Sequence, residues 1–374
     1  MARELSQLGE QPAIEPGGVT WEGDARSLLR ANLWLRTASR VIVRVTRFRA
    51  TAFHELERAA KRIHWEQFVT DPAAVEFNVT ARKSKLYHTG GIEQRLRDAV
   101  RSRLSALGGS VQRKPHQPGP ESSKPGARSP EPETATPSQL FIVRVVRDEF
   151  EISADASGEL LHLRGYRQAV AKAPIRETLA AALLLAAGYD GGAPLLDPFC
   201  GSGTIPIEGA LIARNIAPGI QRTFGVEDWP SFYPPISKAI RDEAFGRQRA
   251  AASAITGSDR DTGAIAAATA NAERAGIAGS IAWFERPISS MEHLPAGGLI
   301  ATNPPYGVRV GKGGDVRDLF AQLGHVTRQQ ASGSRVAMYL PDTNLGKQTR
   351  LDFETLYKTS NGGLPVTAVL ASVS

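Results

Sequence analysis

Asn303, Pro304, Pro305 and Tyr306 follow an apolar run, Gly298–Thr302, that is typical of a buried strand. Each proline fixes its own φ and restricts the residue before it, so the loop after the strand is stiff. Such a loop can hold the Asn303 side-chain oxygen and the Pro304 carbonyl as two acceptors for one planar NH2 group. With Tyr306 as a stacking face, the pattern indicates a grip for the exocyclic amine of a nucleobase. The alternative interpretation is a proline turn that Asn303 caps.

A second motif, Asp197–Thr204, reads DPFCGSGT and follows two leucines that end another short apolar run. Glycines let the backbone approach a ligand closely, and the helix predicted over Ile205–Arg214 offers its N-terminus to a carboxylate. Pro206 stands where a nicotinamide-binding loop needs its third glycine, and no P-loop lysine follows, so both of those ligand classes are disfavoured. Cys200 has no partnered histidine nearby, and we interpret it as a small buried residue.

The two motifs together resemble the S-adenosylmethionine-dependent methyltransferases that modify exocyclic amines. The segments Gly165–Arg167, Ala173–Ala180 and Ala217–Gly219 extend the likeness over nearly the whole chain. With them, the sequence closely resembles the THUMP-domain RNA methyltransferases of the guanine-N2 type. The resemblance implies a methyl transfer reaction with S-adenosyl-L-methionine as the cofactor.

An α/β fold in three parts is expected. Alternating helix and strand patterns from residue 166 to residue 374 predict a doubly wound, Rossmann-like methyltransferase domain. Residues 1–70 resemble the ferredoxin-like subdomain of the family, and residues 71–165 resemble a THUMP RNA-binding domain with short strands that include Leu160–Leu163. Within it, residues 108–139 are rich in Pro, Ser, Gly and charge, which predicts a disordered loop.

Ligands of doubly wound sheets bind beyond the carboxyl ends of the strands, where both motifs lie. We therefore expect cofactor binding by the motif residues Asp197, Gly201, Gly203 and Thr204, and by Asp259, which lies near the end of the predicted strand Ile255–Asp261. Asp259 would bind the ribose hydroxyls; capping of the next helix is its alternative role, although Asp261 suits that cap better. The resemblance adds Pro174 and Ile175, in a segment that closes over the cofactor.

Pro287 marks a departure from the family pattern. The resemblance implies an aspartate after the strand Ile281–Phe284, where it would recognise the adenine amine of the cofactor, but Pro287 stands there. Either backbone groups near Ile288 hold the adenine, or the affinity for the cofactor is reduced.

The charge of the chain is unevenly distributed. The formal net charge is +7, yet residues 24–103 contain 17 basic and 8 acidic residues, so the basic excess is confined to this region. Such an excess predicts phosphate binding, with a solubilising surface as the alternative. Arg82, Lys83 and Lys85 are the candidate RNA phosphate contacts.

Several classes of protein are disfavoured. One cysteine precludes an internal disulfide, and the chain has neither a signal peptide nor an apolar segment long enough for a membrane span, so we expect a cytoplasmic protein without a membrane partner. His162, His293 and His325 have no metal-like spacing, and no metal site is predicted. We expect a monomer.

The expected function is methyl transfer to guanine N2 in RNA, with large-subunit rRNA favoured over tRNA. The Asn-Pro-Pro-Tyr loop fits adenine N6 equally well, so an adenine-N6 methyltransferase stays open. A non-catalytic RNA-binding or ribosome-assembly factor is the other alternative, because Pro287 replaces the expected acid.

Overall fold

The fold was analysed in a computed structural model, which describes residues 1–108, 138–168, 175–291, 297–305 and 316–374. The predicted disordered loop, residues 108–139, lies almost entirely outside the described residues. In chain order the described helices are α1 (Ala2–Gln7), α2 (Ala25–Trp34), α3 (Phe53–Ala60), α4 (Thr89–Ala106), α5 (Glu177–Ala186), α6 (Thr204–Ala213), α7 (Pro234–Gly246), α8 (Thr262–Arg274), α9 (Val316–Gln330) and α10 (Thr343–Gln348).

The described strands form three sheets. In chain order they are β1 (Ala13–Glu15), β2 (Gly18–Thr20), β3 (Ile42–Arg49), β4 (Val75–Arg82), β5 (Gln139–Val146), β6 (Glu149–Asp155), β7 (Leu195–Asp197), β8 (Ile255–Asp259), β9 (Ala282–Glu285), β10 (Leu299–Thr302), β11 (Arg335–Leu340), β12 (Glu354–Asn361) and β13 (Leu364–Ser372).

The chain divides into two compact units. The first unit contains Met1–Ser39, Leu160–Thr223 and Ile236–Ser374, and the second unit contains Arg40–Glu159 and Phe224–Pro235. The units therefore divide the N-terminal region at residue 39, inside the segment predicted as one subdomain over residues 1–70. Two short 3-10 turns of the first unit and two of the second complete the described elements.

The first unit is built on a seven-stranded sheet with the order β12-β13-β11-β10-β7-β8-β9. Strands β7 to β11 are parallel to their neighbours, and β13 and β12 add antiparallel pairs at one edge. Leu195 packs in one buried cluster and its neighbour Leu196 in another. Because successive strand residues point to opposite faces, both faces of the sheet are covered, as in a doubly wound fold.

The N-terminal segment packs within the first unit through a buried arginine. Arg36 is 8% exposed, and its guanidinium donates to the carbonyl of Ile216 over 2.7 Å. Its backbone N–H donates to the Glu4 carboxylate on α1. A buried guanidinium needs such acceptors, because an unpaired buried charge is costly.

The second unit contains a four-stranded sheet with the order β3-β6-β5-β4. Phe150 and Phe141 are fully buried on one face, where Phe48 stacks on Phe150 and Trp65 meets the edge of Phe141. In the first unit, the strand predicted over Leu160–Leu163 is wrong: this segment forms a turn in which the Leu163 N–H bonds to the Leu160 carbonyl. Three leucines and one histidine carried too little pattern to separate a strand from a turn.

Candidate active site

The candidate site lies where the strand order of the large sheet reverses. From β7 the chain proceeds to β8 and β9 on one side, and it then returns to β10 on the other side of β7. Ligands of doubly wound sheets bind at this switch point, beyond the carboxyl ends of the strands. Asp197 ends β7 and Thr302 ends β10, so the two predicted motifs start from adjacent strands.

Asp197 is a buried carboxylate that organises the glycine turn. Its Oδ1 accepts hydrogen bonds from the Thr302 hydroxyl at 2.6 Å and from the Phe199 N–H at 3.1 Å. Burial raises the pKa of Asp197 to about 7, although the bonds from Thr302 and Phe199 oppose the shift. The sequence motif predicted Asp197 but not its partner Thr302; a small polar residue at a strand end, just before Asn303, was the available signal.

The glycine turn adopts a backbone conformation that other residues rarely reach. Gly201 has φ 51° and Gly203 has φ 84°, and α6 begins at Thr204, one residue before the predicted start at Ile205. A Cβ on Gly203 would lie 2.7 Å from the ring of Trp283. Trp283, on β9, therefore packs directly behind the turn, and no sequence motif had indicated this contact.

Cys200 lies inside this turn and is 6% exposed. Its N–H bonds to the Ser258 carbonyl on β8, and burial raises the pKa of its thiol far above the usual range. A thiol that keeps its proton is not a nucleophile, so the interpretation of Cys200 as a small buried residue is confirmed.

Asp259 ends β8 beside the glycine turn. Its two carboxylate oxygens accept from the Gly201 N–H at 3.0 Å and from the Asp261 N–H at 3.1 Å. The N-cap of α8 is Asp261, whose side chain accepts from the N–H groups of Gly263 and Ala264. The capping role is thus taken by Asp261. Asp259, beside the glycine turn, can still accept further hydrogen bonds, because a carboxylate can accept about four.

Asn303 follows β10 directly. Its side-chain oxygen Oδ1 is buried and has no hydrogen-bond partner among the described residues. Pro304 is buried and Pro305 is exposed, while Tyr306 lies outside the described residues. A buried amide oxygen without a donor costs free energy, and Oδ1 can accept a hydrogen bond from a donor outside the described residues.

The remaining cofactor candidates are partly described. Ile175 is 5% exposed and Ile288 is 3% exposed, and each packs its side chain in a core cluster. Only their backbone groups are therefore suited to a ligand. Pro174 lies outside the described residues. Pro287 is exposed and precedes a 3-10 turn, Ile288–Ser290.

These residues fit S-adenosylmethionine in chemistry. The αL glycines and the start of α6 suit an amino-acid carboxylate, and the Asp259 carboxylate suits vicinal hydroxyls. The unpartnered Oδ1 of Asn303 suits the amine that accepts the methyl group. No group of three or more His, Cys, Asp or Glu residues in the described ranges could hold a metal ion. No helix in those ranges is both long and apolar enough to cross a bilayer.

The predicted RNA contacts, Arg82, Lys83 and Lys85, lie apart from these strand ends along the chain. All three are exposed residues of the second unit, at and after the end of β4. None of these three residues has an ion-pair partner among the described residues.

Relatives of this chain are named as RNA methyltransferases. A Synechocystis protein, slr0064, carries the name of an inferred RNA methyltransferase and is 32% identical over 369 residues, which are 98% of this chain and 91% of the relative. The "Ribosomal RNA large subunit methyltransferase K/L" of Syntrophotalea carbinolica is 33% identical over 377 residues, which are 97% of this chain and 50% of the relative. The chain spans about half the length of the K/L relatives that it matches.

Two solved structures share the fold over almost the whole chain. SMU.472, described as an inferred methyltransferase and crystallised with SAH, has a TM-score of 0.82 and 28% identity, and the match covers 100% of this chain and 94% of that one. A Listeria monocytogenes protein, described as a predicted N6-adenine-specific DNA methylase, has a TM-score of 0.81 and 31% identity, with 98% and 91% coverage.

Family models match both ends of the chain. The model of the RlmL ferredoxin-like domain matches residues 1–42, and the model of the RMKL-like methyltransferase domain matches residues 164–361, more than half of the sequence. The second match contains the glycine turn, Asp259 and Asn303, so it covers the candidate site. The chain therefore belongs to the RMKL-like methyltransferase family, which takes its methyl group from S-adenosylmethionine.

Proposed function

We propose that this protein methylates the exocyclic N2 of a guanine in RNA, and that the RNA is large-subunit rRNA. The observation that carries the proposal is the buried, unpartnered Oδ1 of Asn303 at the switch point of the sheet. The names of the K/L relatives support an rRNA substrate, and the names of the other relatives support RNA in general.

The proposed chemistry needs alignment more than acid or base groups. S-adenosylmethionine supplies a methyl group that its sulfonium already activates. Asn303 Oδ1 and the Pro304 carbonyl accept the two N–H bonds of the guanine amine and hold its nitrogen in line with that methyl. As the amine nitrogen bonds to the methyl carbon, the S–C bond breaks and the sulfur leaves as a neutral thioether. The positive charge passes to the nitrogen, where the two acceptors stabilise it. The methylated amine then loses a proton readily, so no base has to act first.

The other side chains hold the reactants. Tyr306 stacks on the flipped base, whose removal from a stem costs a few kcal/mol. Gly201, Gly203 and Thr204 bind the amino-acid end of the cofactor, next to Asp197, and Asp259 binds the ribose. The backbone near Pro174, Ile175 and Ile288 encloses the remainder.

The N-terminal half is proposed to bind the RNA. Residues 71–165 act as a THUMP domain that contacts RNA phosphates through Arg82, Lys83 and Lys85. A ferredoxin-like part in residues 1–70 precedes it in the chain. Phosphate contacts position an RNA without reading its sequence. The protein works as a monomer in the cytoplasm in this proposal.

An adenine-N6 methyltransferase is the second candidate. The name of the Listeria monocytogenes structure favours it, and the two acceptors of the loop suit an adenine amine as well as a guanine amine.

Methyl transfer from radiolabelled S-adenosylmethionine distinguishes these functions. Purified large-subunit rRNA, tRNA and double-stranded DNA are each incubated with the protein and then digested to nucleosides. The proposal predicts labelled N2-methylguanosine from the rRNA. Labelled N6-methyladenine would support the second candidate instead. Label in tRNA alone would show that the substrate is tRNA and not rRNA. Absence of label with intact cofactor binding would favour a non-catalytic RNA-binding protein.

A further inference from the structure

The arginines of helix α4 are neutralised by carboxylates. A cation that is paired in this way presents little net charge to a phosphate, because the two opposite charges cancel. Salt screens what remains of their field beyond a Debye length of about 8 Å. Hydrogen bonds from Arg103 lower the pKa of Glu66 to about 2, so that carboxylate stays charged at neutral pH. The pairs are Arg95–Glu57 at 3.3 Å, Arg97–Glu93 at 2.8 Å, Arg101–Asp98 at 3.2 Å and Arg103–Glu66 at 2.7 Å.

The arginines in the middle of β3 are neutralised as well. Glu151 on β6 accepts from Arg44 at 2.9 Å and from Arg47 at 2.6 Å. Arg40, just before β3, is paired with the buried carboxylate of Asp155. The sequence count of basic residues therefore overstates the charge that this unit offers to a polyanion.

Another set of cations has no ion pair among the described residues of the second unit. We call this set the hairpin cluster. All its members are exposed, and they come from three parts of the chain: the end of β3, the end of β4 with the turn after it, and the turn between β5 and β6. The members are Arg49, Arg82, Lys83, Lys85 and Arg147.

Hydrogen bonds join the three segments at one end of the sheet. The Arg147 N–H bonds to the Arg82 carbonyl at 3.2 Å, and the Ala50 N–H bonds to the Asp148 carbonyl at 3.0 Å. The Asp148 side chain accepts from the Lys85 N–H at 2.7 Å. The cluster is thus built by the fold, since its members are up to about a hundred residues apart in the sequence and no local motif contains them.

The backbone of the cluster is held in a rarely populated conformation. Lys83 has φ 50°, Arg147 has φ 53° and Asp148 has φ 66°, although none of them is glycine. Arg147 and Asp148 are the two central residues of the tight turn between β5 and β6, where a left-handed conformation at both positions is the usual hairpin geometry and fixes where Arg147 lies. The same segments contain the carboxylates of Asp148 and Glu149, which leaves five cations against two anions.

A different exposed group, Arg58, Lys61 and Arg62, also lacks ion pairs among the described residues. These three come from α3 and the turn that follows it, so they form a single local stretch. They are neither joined to other segments nor in a left-handed backbone conformation, which makes them a suitable comparison for the hairpin cluster.

We propose that the hairpin cluster is the surface on which the second unit holds the phosphate backbone of RNA, and that the arginines of α4 take no part. The inference rests on the proposed RNA substrate and refines it: it adds Arg49 and Arg147 to the three residues suggested by the sequence. Lys and Arg on phosphates release counterions, so each contact contributes to the salt dependence of binding.

The test compares three double variants with equal loss of charge. Lys83→Gln/Arg147→Gln removes two members of the cluster, Arg95→Gln/Arg101→Gln removes two paired arginines, and Lys61→Gln/Arg62→Gln removes two unpaired cations elsewhere. Binding of a fluorescein-labelled 30-nucleotide RNA hairpin to the full-length protein is measured by anisotropy between 50 and 300 mM KCl. Lys85→Gln/Arg49→Gln serves as a second cluster variant if the first unfolds at a lower temperature than the wild type.

The cluster variants should bind about tenfold more weakly at 100 mM salt, and the slope of log K against log salt should fall by about 1.4 to 1.8 for two lost contacts. The other two doubles should lose less than about threefold. Equal weakening in all three, or none in the cluster variants, would overturn the inference. Methyl transfer is assayed on the same samples. If the wild-type protein binds the RNA hairpin through the cluster but methylates no RNA, the proposed function is wrong and the inference about the RNA-binding surface is upheld.

Discussion

The Thr302 hydroxyl donates a 2.6 Å hydrogen bond to the Asp197 carboxylate. Both side chains are buried, and they end the two strands that flank the switch point of the sheet. This bond joins the strand that leads into the glycine turn to the strand that leads into Asn303. Together with the backbone pairing of β7 and β10, this contact fixes the proposed cofactor turn relative to the proposed acceptor loop.

Replacement of Thr302 by valine should destabilise the protein, because it keeps the shape but leaves the buried Asp197 oxygen with one donor fewer. The expected loss is about 1–3 kcal/mol in the free energy of unfolding, measured by urea denaturation. Thr327→Val is the matched control: Thr327 is equally buried, yet its hydroxyl has no partner among the described residues. That control should be neutral or stabilising. Equal losses in the two variants would contradict a specific role for the Thr302 bond.

The contribution of Asp197 to stability should fall as the pH rises from about 4 to 7, whereas His162, whose pKa burial lowers to about 4, acts in the opposite direction. Burial raises the pKa of Asp197 to about 7, above its ordinary 3.8, so the folded state binds more protons than the unfolded state in this window. Glu177 acts in the same direction, because burial raises its pKa to about 7. In Asp197→Asn the stability should fall less with rising pH than in the wild type. Urea midpoints measured from pH 5 to pH 8 test this, and parallel curves for wild type and variant would refute it.

Gly257 should be intolerant of a side chain because of Trp283. A Cβ at Gly257 would lie 2.3 Å from the Trp283 ring, which also packs on Gly203. Gly257→Ala should cost about 1–3 kcal/mol of stability through this overlap. Gly279→Ala, at a position with open space, should cost much less. Combined with Trp283→Leu, Gly257→Ala should cost less than it does alone; an additive double variant would show that the ring is not the obstacle.

Replacement of Pro287 by aspartate should strengthen cofactor binding. The resemblance places an acid here, and Pro287 is exposed two residues after β9, whose last residue, Glu285, pairs with Asp259. The residue is also the N-cap of a 3-10 turn, where aspartate is favourable, so the fold should tolerate it. A hydrogen bond from the adenine amine to a charged acceptor should lower the Kd for S-adenosylmethionine about tenfold in calorimetry. Pro287→Ala is the control, and an unchanged Kd for the aspartate variant would mean that the adenine lies elsewhere.

The sequence predicted the parts of the fold that local patterns encode. The strand before Asn303 and the cap of α8 by Asp261 are confirmed, because an apolar run and a helix cap depend on neighbouring residues. The convergence of Arg147 with Arg82, and the bond between Thr302 and Asp197, could not be predicted from one sequence, since each joins segments that are far apart in the chain. The THUMP assignment and the boundary at residue 70 stay predictions.

Asn303 should contribute to catalysis at the expense of stability. Its buried Oδ1 has no partner among the described residues, so removing it should release an unfavourable contribution of about 1–3 kcal/mol. The Asn303→Ala variant should therefore unfold at the same temperature as the wild type or above it. It should also bind S-adenosylmethionine normally, since the glycine turn and Asp259 are untouched.

The most direct test of the account is single-turnover methyl transfer from radiolabelled S-adenosylmethionine to large-subunit rRNA by wild type and Asn303→Ala, at saturating cofactor. Loss of stabilising hydrogen bonds in the transition state predicts a rate at least about a hundredfold lower for the variant. Its cofactor Kd and thermal stability should be preserved. A variant that transfers the methyl group at the wild-type rate would contradict the assignment of Asn303 as the residue that holds the acceptor amine.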